Sequence, residues 1–128
     1  MRKIVDRRPL ALAIDDSEDT LATYAFALEL EGFRVEEARN GREGLQKAVD
    51  LRPDIIITDL SMPIMDGWET IRRLRADGRS RHIPIIACSG WTAGGGLNDT
   101  SADVLLPKPC PLDMLLFELR RLVHRRAA

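Results

Sequence analysis

Five short apolar runs alternate with segments of helical periodicity along this chain, and that alternation constrains the fold more than any other feature. The runs cover residues 10–14, 33–38, 55–57, 83–88 and 104–106. Four of them are continuous rather than alternating, which is typical of strands covered on both faces of a parallel sheet. The sequence therefore predicts an α/β fold with a doubly wound, five-stranded parallel sheet.

Helical patterns fill most of the intervals between the runs. Apolar residues recur at helical spacing over 17–31, 42–51 and 67–77, and a last amphipathic helix begins at Pro111. The interval 91–101 differs, because its three consecutive glycines, 94–96, would each cost about 1 kcal/mol in a helix relative to alanine. We expect the fourth helix of the alternation to be shortened or replaced by a Gly-rich loop.

Length and charge narrow the class of protein. The 128 residues contain no repeat or linker, so we expect a single domain over 1–128. The net charge of −1 indicates neither nucleic acid nor an anionic membrane as a partner. Cys88 and Cys110 have no metal-ligand spacing and are interpreted as thiols of a reducing cytosol. With no visible signal peptide and no apolar run near the ~18 residues of a membrane span, we expect a cytoplasmic protein.

A polar residue stands at the end of four of the five runs. Asp15 and Asp16 follow the first, Asp59 the third, Ser89 the fourth, and Lys108 comes soon after the fifth. Ligands of open parallel sheets bind beyond the carboxyl ends of the strands. The sequence therefore predicts that these side chains converge at one edge of the sheet.

The charges of these residues indicate a chemistry. Three neighbouring carboxylates repel one another and need a cation, and an all-oxygen set suits Mg²⁺ or Mn²⁺. With Lys108 and a divalent ion, the charge of the site sums to about zero. Phosphorylation of Asp59 would replace one carboxylate charge with about −1.5 to −2. The metal, Lys108 and the Ser89 hydroxyl could each hold one phosphoryl oxygen, which is the positioning that phosphoryl transfer requires.

These residues resemble the receiver domain of two-component response regulators, of the single-domain, chemotaxis-regulator-like kind. The resemblance covers essentially the whole chain. It is carried by Asp15-Asp16, by the stretch DIIITDLSMPIMDG at 54–67, by Ser89-Gly90 and by Lys108-Pro109. It implies a flavodoxin-like sheet with strand order 2-1-3-4-5.

The resemblance also implies a role for each acidic residue. Asp59 would accept a phosphoryl group from a phosphohistidine on a histidine kinase or a histidine phosphotransfer protein. Asp16, Asp59 and the backbone carbonyl of Ser61 would hold Mg²⁺, and Asp15 would bind the metal mainly through water.

Lys108 and Ser89 complete the implied site. Lys108 would pair with Asp59 and then with its phosphoryl group, next to a cis bond to Pro109, and Ser89 would be the switch hydroxyl. The chain departs from the family at Leu105, where an aromatic residue is usual, and at Cys110, where phenylalanine is common. We therefore expect intact phosphorylation chemistry and an atypical output face.

Two hypotheses concern the interval after Ser89. The Gly-rich segment is predicted to be mobile and to fold on a partner or on phosphorylation. Trp91 lies two residues past Ser89, beside the expected phosphoryl position. Its large indole is predicted to exclude attacking water and to prolong the acyl phosphate.

Several functions stay open. The chain could act by docking on a downstream protein or as a relay between histidine proteins, and a pseudo-receiver would only bind proteins. An aspartate-nucleophile phosphatase would need a second aspartate where Ser61 stands. We expect no enzyme activity beyond self-phosphorylation and autodephosphorylation. Direct nucleic-acid binding is disfavoured because the sequence ends at Ala128, directly after the last helix, although the chain could be a piece of a longer protein.

Overall fold

The computed structural model describes residues 6–90 and 101–127, so the predictions for Trp91 and the glycines at 94–96 lie outside the described residues. Within these ranges strands and helices follow one another in the predicted order. The strands are β1 (Leu10–Ile14), β2 (Arg34–Ala38), β3 (Ile55–Asp59), β4 (Ile85–Ser89) and β5 (Val104–Pro107). The helices are α1 (Glu18–Leu30), α2 (Gly41–Leu51), α3 (Gly67–Ala76) and α4 (Leu112–Ala127).

The strands form one parallel sheet in the order β2-β1-β3-β4-β5, which confirms the predicted fold. All residues of β1, β3 and β4 are buried. Their continuous apolar sequences follow from this position, because both faces of a central parallel strand are covered by helices.

Alternate residues of the central strands enter two separate cores. On one face, Ile55 and Ile57 pack with the leucines of α1 and α4. On the other face, Ile56 packs with α3 side chains such as Ile71 and Leu74. The sheet is therefore wound on both sides, as predicted. None of the helices within the described ranges is long and apolar enough to cross a membrane.

Short capped turns connect each of the first three strands with helices at the site edge. Ser17 is the N-cap of α1, and its Oγ accepts a hydrogen bond from the Thr20 N–H at 3.2 Å. Asn40 and Asp66 cap α2 and α3 in the same way. Such caps satisfy orphan N–H groups of the first helical turn. They stabilise the start of each helix, while the parallel pairing of β1 with β3 places the carboxyl ends of these strands side by side.

The loop after β3 requires a glycine at position 67. A Cβ atom at this position would lie 2.2 Å from the carbonyl oxygen of Asp59 and 2.6 Å from the Cα of Leu60. The Gly67 N–H donates to the Leu60 carbonyl at 3.0 Å. Because no side chain fits there, glycine allows the start of α3 to pack directly on the end of β3.

Candidate functional site

Three aspartates meet at the carboxyl ends of β1 and β3. Asp15 and Asp16 directly follow β1, and Asp59 is the last residue of β3. The two strands pair in parallel with Ile14 opposite Thr58, so their ends lie side by side. One carboxylate oxygen from each aspartate lies within 4.8 Å of the others. Asp15 and Asp59 are buried, with exposed fractions of 1% and 7%, whereas Asp16 is exposed.

Lys108 reaches this acidic cluster from the end of β5. Its Nζ lies 2.6 Å from Asp15 Oδ2 and 3.2 Å from Asp59 Oδ2. The pair with Asp59 was expected, whereas the shorter contact with Asp15 was not. The backbone N–H of Lys108 also donates to the Ser89 carbonyl at 2.9 Å, which ties the ends of β4 and β5 together.

Burial and charge act in opposite directions on the titration of this site. Burial raises the pKa of the Asp59 carboxyl, although Lys108 and the Ser61 N–H both favour its ionised form. For Lys108, burial alone would lower the pKa. The hydrogen bond to Asp15 and the charge of Asp59 outweigh it, so the pKa of Lys108 is raised. The lysine is therefore charged at neutral pH, while the buried Asp59 carboxylate lacks full compensation.

The remaining predicted residues lie around Asp59. Ser89 is the last residue of β4 and is buried beside Lys108. The Ser61 N–H donates to Asp59 Oδ1 at 3.2 Å. A metal-binding role for the Ser61 carbonyl stays a prediction. The Lys108–Pro109 peptide bond is cis, as the resemblance implied.

The donor set of the cluster suits a hard divalent cation. It offers carboxylate oxygens of Asp15, Asp16 and Asp59, and oxygen is the ligand that Mg²⁺ and Mn²⁺ prefer. Lys108 is the partner of Asp15 and Asp59 among the ion pairs of the described residues. Since the cluster has three carboxylates and one lysine, a dication would neutralise the remaining negative charge.

Leu105 stands on β5 where the family usually has an aromatic residue. It pairs with Ala87 of β4, is partly buried, and packs against the core on the side of α2 and α3. This departure from the family therefore lies on the strand that leads to Lys108. A leucine side chain there carries no hydroxyl and no ring.

Two polar clusters were not predicted from the sequence. Cys88, Cys110 and Tyr24 meet under α1. Arg75 binds Asp103 at the opposite edge of the sheet. Neither cluster has a local motif, because its members come from separate elements.

The fold and the site together define a class: a flavodoxin-like α/β domain with an acidic site and one lysine at the carboxyl edge of its sheet. The family model of the response regulator receiver domain matches residues 11–120. The chain therefore belongs to the response regulator receiver domain family.

Curated relatives agree with this assignment. The transcriptional regulatory protein PrrA of Mycobacterium leprae is 36% identical over 124 residues, which cover 94% of this chain and 52% of PrrA. The DNA-binding dual master transcriptional regulator RpaA of Synechocystis is 35% identical over 123 residues, covering 91% of this chain and 50% of RpaA. The chain thus spans about half the length of these relatives, and their transcriptional output is a property of those longer proteins.

Solved structures show the same fold. The chemotaxis protein CheY4 of Vibrio cholerae superposes with a TM-score of 0.84 at 32% identity, covering 90% of this chain and 98% of CheY4. The signal receiver domain of a histidine kinase from Syntrophus aciditrophicus gives 0.79 at 32% identity, covering 91% and 90% of the two chains. Receiver domains from proteins of different architecture are thus similar to this chain.

Proposed function

We propose that this chain is a phosphoryl-accepting receiver of a two-component or phosphorelay pathway. In this proposal Asp59 accepts the phosphoryl group of a phosphohistidine in a Mg²⁺-dependent reaction, and the domain signals by docking with other proteins. The observation that carries the proposal is the grouping of the Asp59 carboxylate with those of Asp15 and Asp16, with Lys108 Nζ 3.2 Å from Asp59 Oδ2. Membership of the receiver family supports the same chemistry.

The transfer exchanges one bond for another at Asp59. The N–P bond of the phosphohistidine breaks, and an O–P bond to the Asp59 carboxylate forms. Asp59 is 7% exposed, so its carboxylate meets a donor only from the open edge of the sheet. The Ser61 N–H holds Oδ1 of Asp59, which fixes the orientation of the carboxylate.

Charge stabilisation comes from residues already in place. Lys108 lies beside Asp59 and can pair with a phosphoryl oxygen, and the Ser89 hydroxyl offers a hydrogen bond from the end of β4. Asp16, Asp59 and the Ser61 carbonyl would hold the metal directly, with Asp15 bound mainly through water. When bound, the dication offsets the negative charge of the transferring phosphoryl group.

The signal would arise from a change in the partners of Lys108. Before transfer this lysine is shared between Asp15 and Asp59. Phosphorylation raises the charge at Asp59 to about −1.5 to −2 and draws the lysine toward it. Because Lys108 and Ser89 are joined through their backbones, the change reaches the ends of β4 and β5. The proposed partners are a histidine kinase or histidine phosphotransfer protein and a downstream target protein. In this proposal the domain's own chemistry is limited to self-phosphorylation and autodephosphorylation.

The test is intact mass after incubation with a small phosphodonor such as acetyl phosphate. We expect one phosphoryl adduct on the wild type when Mg²⁺ is present, and none in EDTA. Asp59→Ala should give no adduct. Asp50→Ala is the matched control, because Asp50 is an exposed aspartate on α2, and it should react like the wild type.

Two results would overturn the proposal. If no condition gives an adduct on the folded wild type, the chain is a pseudo-receiver that binds proteins without phosphorylation. If the adduct persists in Asp59→Ala, the acceptor is a different residue.

A further inference from the structure

The fold brings together the two cysteines of the chain. Cys88 lies in β4, with its side chain in the core beneath α1 and α4. Cys110 follows β5 and packs against the same core. Tyr24 neighbours both cysteines, since its hydroxyl donates to Cys88 Sγ and its side chain lines the same surface cavity as Cys110. Since the sequence contains no other cysteine, any disulfide within one chain must join these residues.

The two thiols differ in their access to solvent. Cys88 is 1% exposed, and its Sγ accepts a hydrogen bond from the Tyr24 hydroxyl at 3.9 Å. Cys110 is half-buried and lines a surface cavity of about 490 Å³ together with Tyr24, Lys108 and Leu112. A small oxidant that enters this cavity therefore meets Cys110 before Cys88.

The surroundings of Cys110 also favour its reactive form. The neighbouring Cys88 lowers the pKa of the Cys110 thiol against the opposing effects of burial and of the Asp113 charge, and the charge of Lys108 also lowers it. The thiolate is the form that attacks oxidants. Position and charge thus agree that Cys110 is the attacking thiol and Cys88 the resolving one.

We propose that Cys110 and Cys88 form a redox site, in which a peroxide oxidises Cys110 and the pair then closes to a reversible intramolecular disulfide. The Cys110 sulfur attacks one peroxide oxygen, the O–O bond breaks, and a sulfenic acid and one water result. The Cys88 sulfur then attacks the Cys110 sulfur, the S–O bond breaks, and a second water leaves. Two thiols and one hydrogen peroxide give one disulfide and two waters.

The movement that this requires is local. The two sulfurs, which belong to one core cluster, must approach to about 2.0 Å. Cys110 lies in the connection between β5 and α4, so the approach requires movement of this segment toward Cys88 in its buried strand. The bond would join the residue before Ser89 to the segment that follows Lys108. It needs no phosphorylation, so the proposal is independent of the proposed function.

The test uses the full chain, reduced and then treated with hydrogen peroxide at a small molar excess. We expect an intact mass lower by two hydrogen atoms, no alkylation of the denatured product by iodoacetamide, and recovery of two alkylation sites after dithiothreitol. Non-reducing peptide mapping should find Cys88 joined to Cys110. Asp50→Ala, at an exposed position of α2, should behave like the wild type.

Single-cysteine variants separate the two roles. In Cys88→Ser, dimedone should trap a sulfenic acid on Cys110, and Cys88→Ala serves in its place if the serine variant does not fold. In Cys110→Ser, thiol loss should be at least about tenfold slower, because Cys88 is buried. Two unmodified thiols after peroxide, a disulfide-linked dimer instead of the monomeric product, or sulfonic acid on Cys110 with Cys88 still reduced would each overturn the proposal.

Discussion

The two edges of the sheet each bring a basic side chain against aspartate, and they use it differently. At the amino edge, Arg75 of α3 binds Asp103 just before β5, with Nη2 2.9 Å from Oδ2. At the carboxyl edge, Lys108 contacts Asp15 and Asp59, which are clustered with Asp16. Since the distances are similar, the contrast lies in the balance of charges and hydrogen bonds around each basic group.

The amino-edge cluster is balanced. Besides Asp103, the guanidinium of Arg75 donates to the backbone carbonyls of Ser101, Arg81 and Ile83 at 2.7–2.9 Å. Asp103 also accepts from the Ile85 N–H at 2.8 Å. One positive and one negative charge meet, and the guanidinium binds several carbonyls. Such a cluster holds the starts of β4 and β5 in place, and the charges of Arg75 and Asp103 compensate each other.

The carboxyl-edge cluster is not balanced. It has three carboxylates and one lysine, which contacts the two buried aspartates, Asp15 and Asp59. The raised pKa of Asp59 reflects the cost of keeping a buried carboxylate ionised. In this molecule, the cluster with excess negative charge is the candidate functional site. The cluster whose charges and hydrogen bonds are compensated has a structural role.

The largest expected effect is on the rate of Asp59 phosphorylation, which should depend on Lys108 and not on Arg75. Replacing Lys108 by alanine removes the cation next to the phosphoryl position, so we expect the rate of Asp59 phosphorylation by a small phosphodonor to fall about 100-fold. Arg75→Ala should change that rate less than about twofold, because Arg75 lies at the other edge of the sheet. Intact mass followed over time measures both rates. Equal losses in the two variants would contradict the distinction.

The second prediction concerns stability, for which we expect the replacement of Arg75 to have a larger effect than the replacement of Lys108. Arg75→Ala removes the side-chain donor of three carbonyls and one of the donors to Asp103, so we expect it to lower the free energy of unfolding by about 2 kcal/mol. Lys108→Ala, measured with Mg²⁺ present, should lower it by less than about 1 kcal/mol, since the dication compensates the aspartates. Urea unfolding followed by circular dichroism gives both values. A larger loss of unfolding free energy in Lys108→Ala than in Arg75→Ala would count against a structural role for Arg75.

A smaller effect is expected for the aspartates. In EDTA at neutral pH, Asp59→Asn should raise the free energy of unfolding by about 1 kcal/mol, because it removes an incompletely compensated buried charge. Asp103→Asn should lower it, since it weakens a balanced pair. Urea unfolding of both variants beside the wild type measures these differences.

The pH dependence gives the control for this prediction. A carboxyl whose folded pKa is raised destabilises the fold above that pKa and loses this effect when it is protonated. The advantage of Asp59→Asn should therefore shrink as the pH falls from neutral through the raised pKa toward the ordinary value of 3.8. An advantage that is constant with pH would have a cause other than charge.

The carboxyl edge could be predicted from the sequence, and the amino edge could not. Continuous apolar runs at residues 55–57 and 83–88 indicate parallel strands, and the residues after such strands converge by topology alone. Asp59, Ser89 and Lys108 could therefore be assigned to one site by their places along the chain. The preference of Lys108 for Asp15 over Asp59 could not, because it depends on side-chain positions.

The contacts of Arg75 and of the two cysteines could not be predicted from the sequence. Arg75 is one of several arginines in and after α3, and only the fold shows that it meets the backbone before β4 and β5. Cys88 and Cys110 stand in unrelated sequence contexts, and their contact is set by two strand ends. Contacts between separate elements leave no periodic signal, so neither cluster could be found by pattern.

The smallest expected effect concerns metal affinity and tests the excess charge directly. Lys108 competes with a dication for the carboxylates of Asp15 and Asp59. Lys108→Gln should therefore bind Mg²⁺ about threefold more tightly than the wild type, as measured by isothermal titration calorimetry. Arg75→Gln is the matched control and should leave the affinity unchanged. Weaker Mg²⁺ binding in Lys108→Gln would mean that the lysine positions the carboxylates for the metal instead of competing with it, and the two edges of the sheet would then be alike in using their basic residue as a structural support.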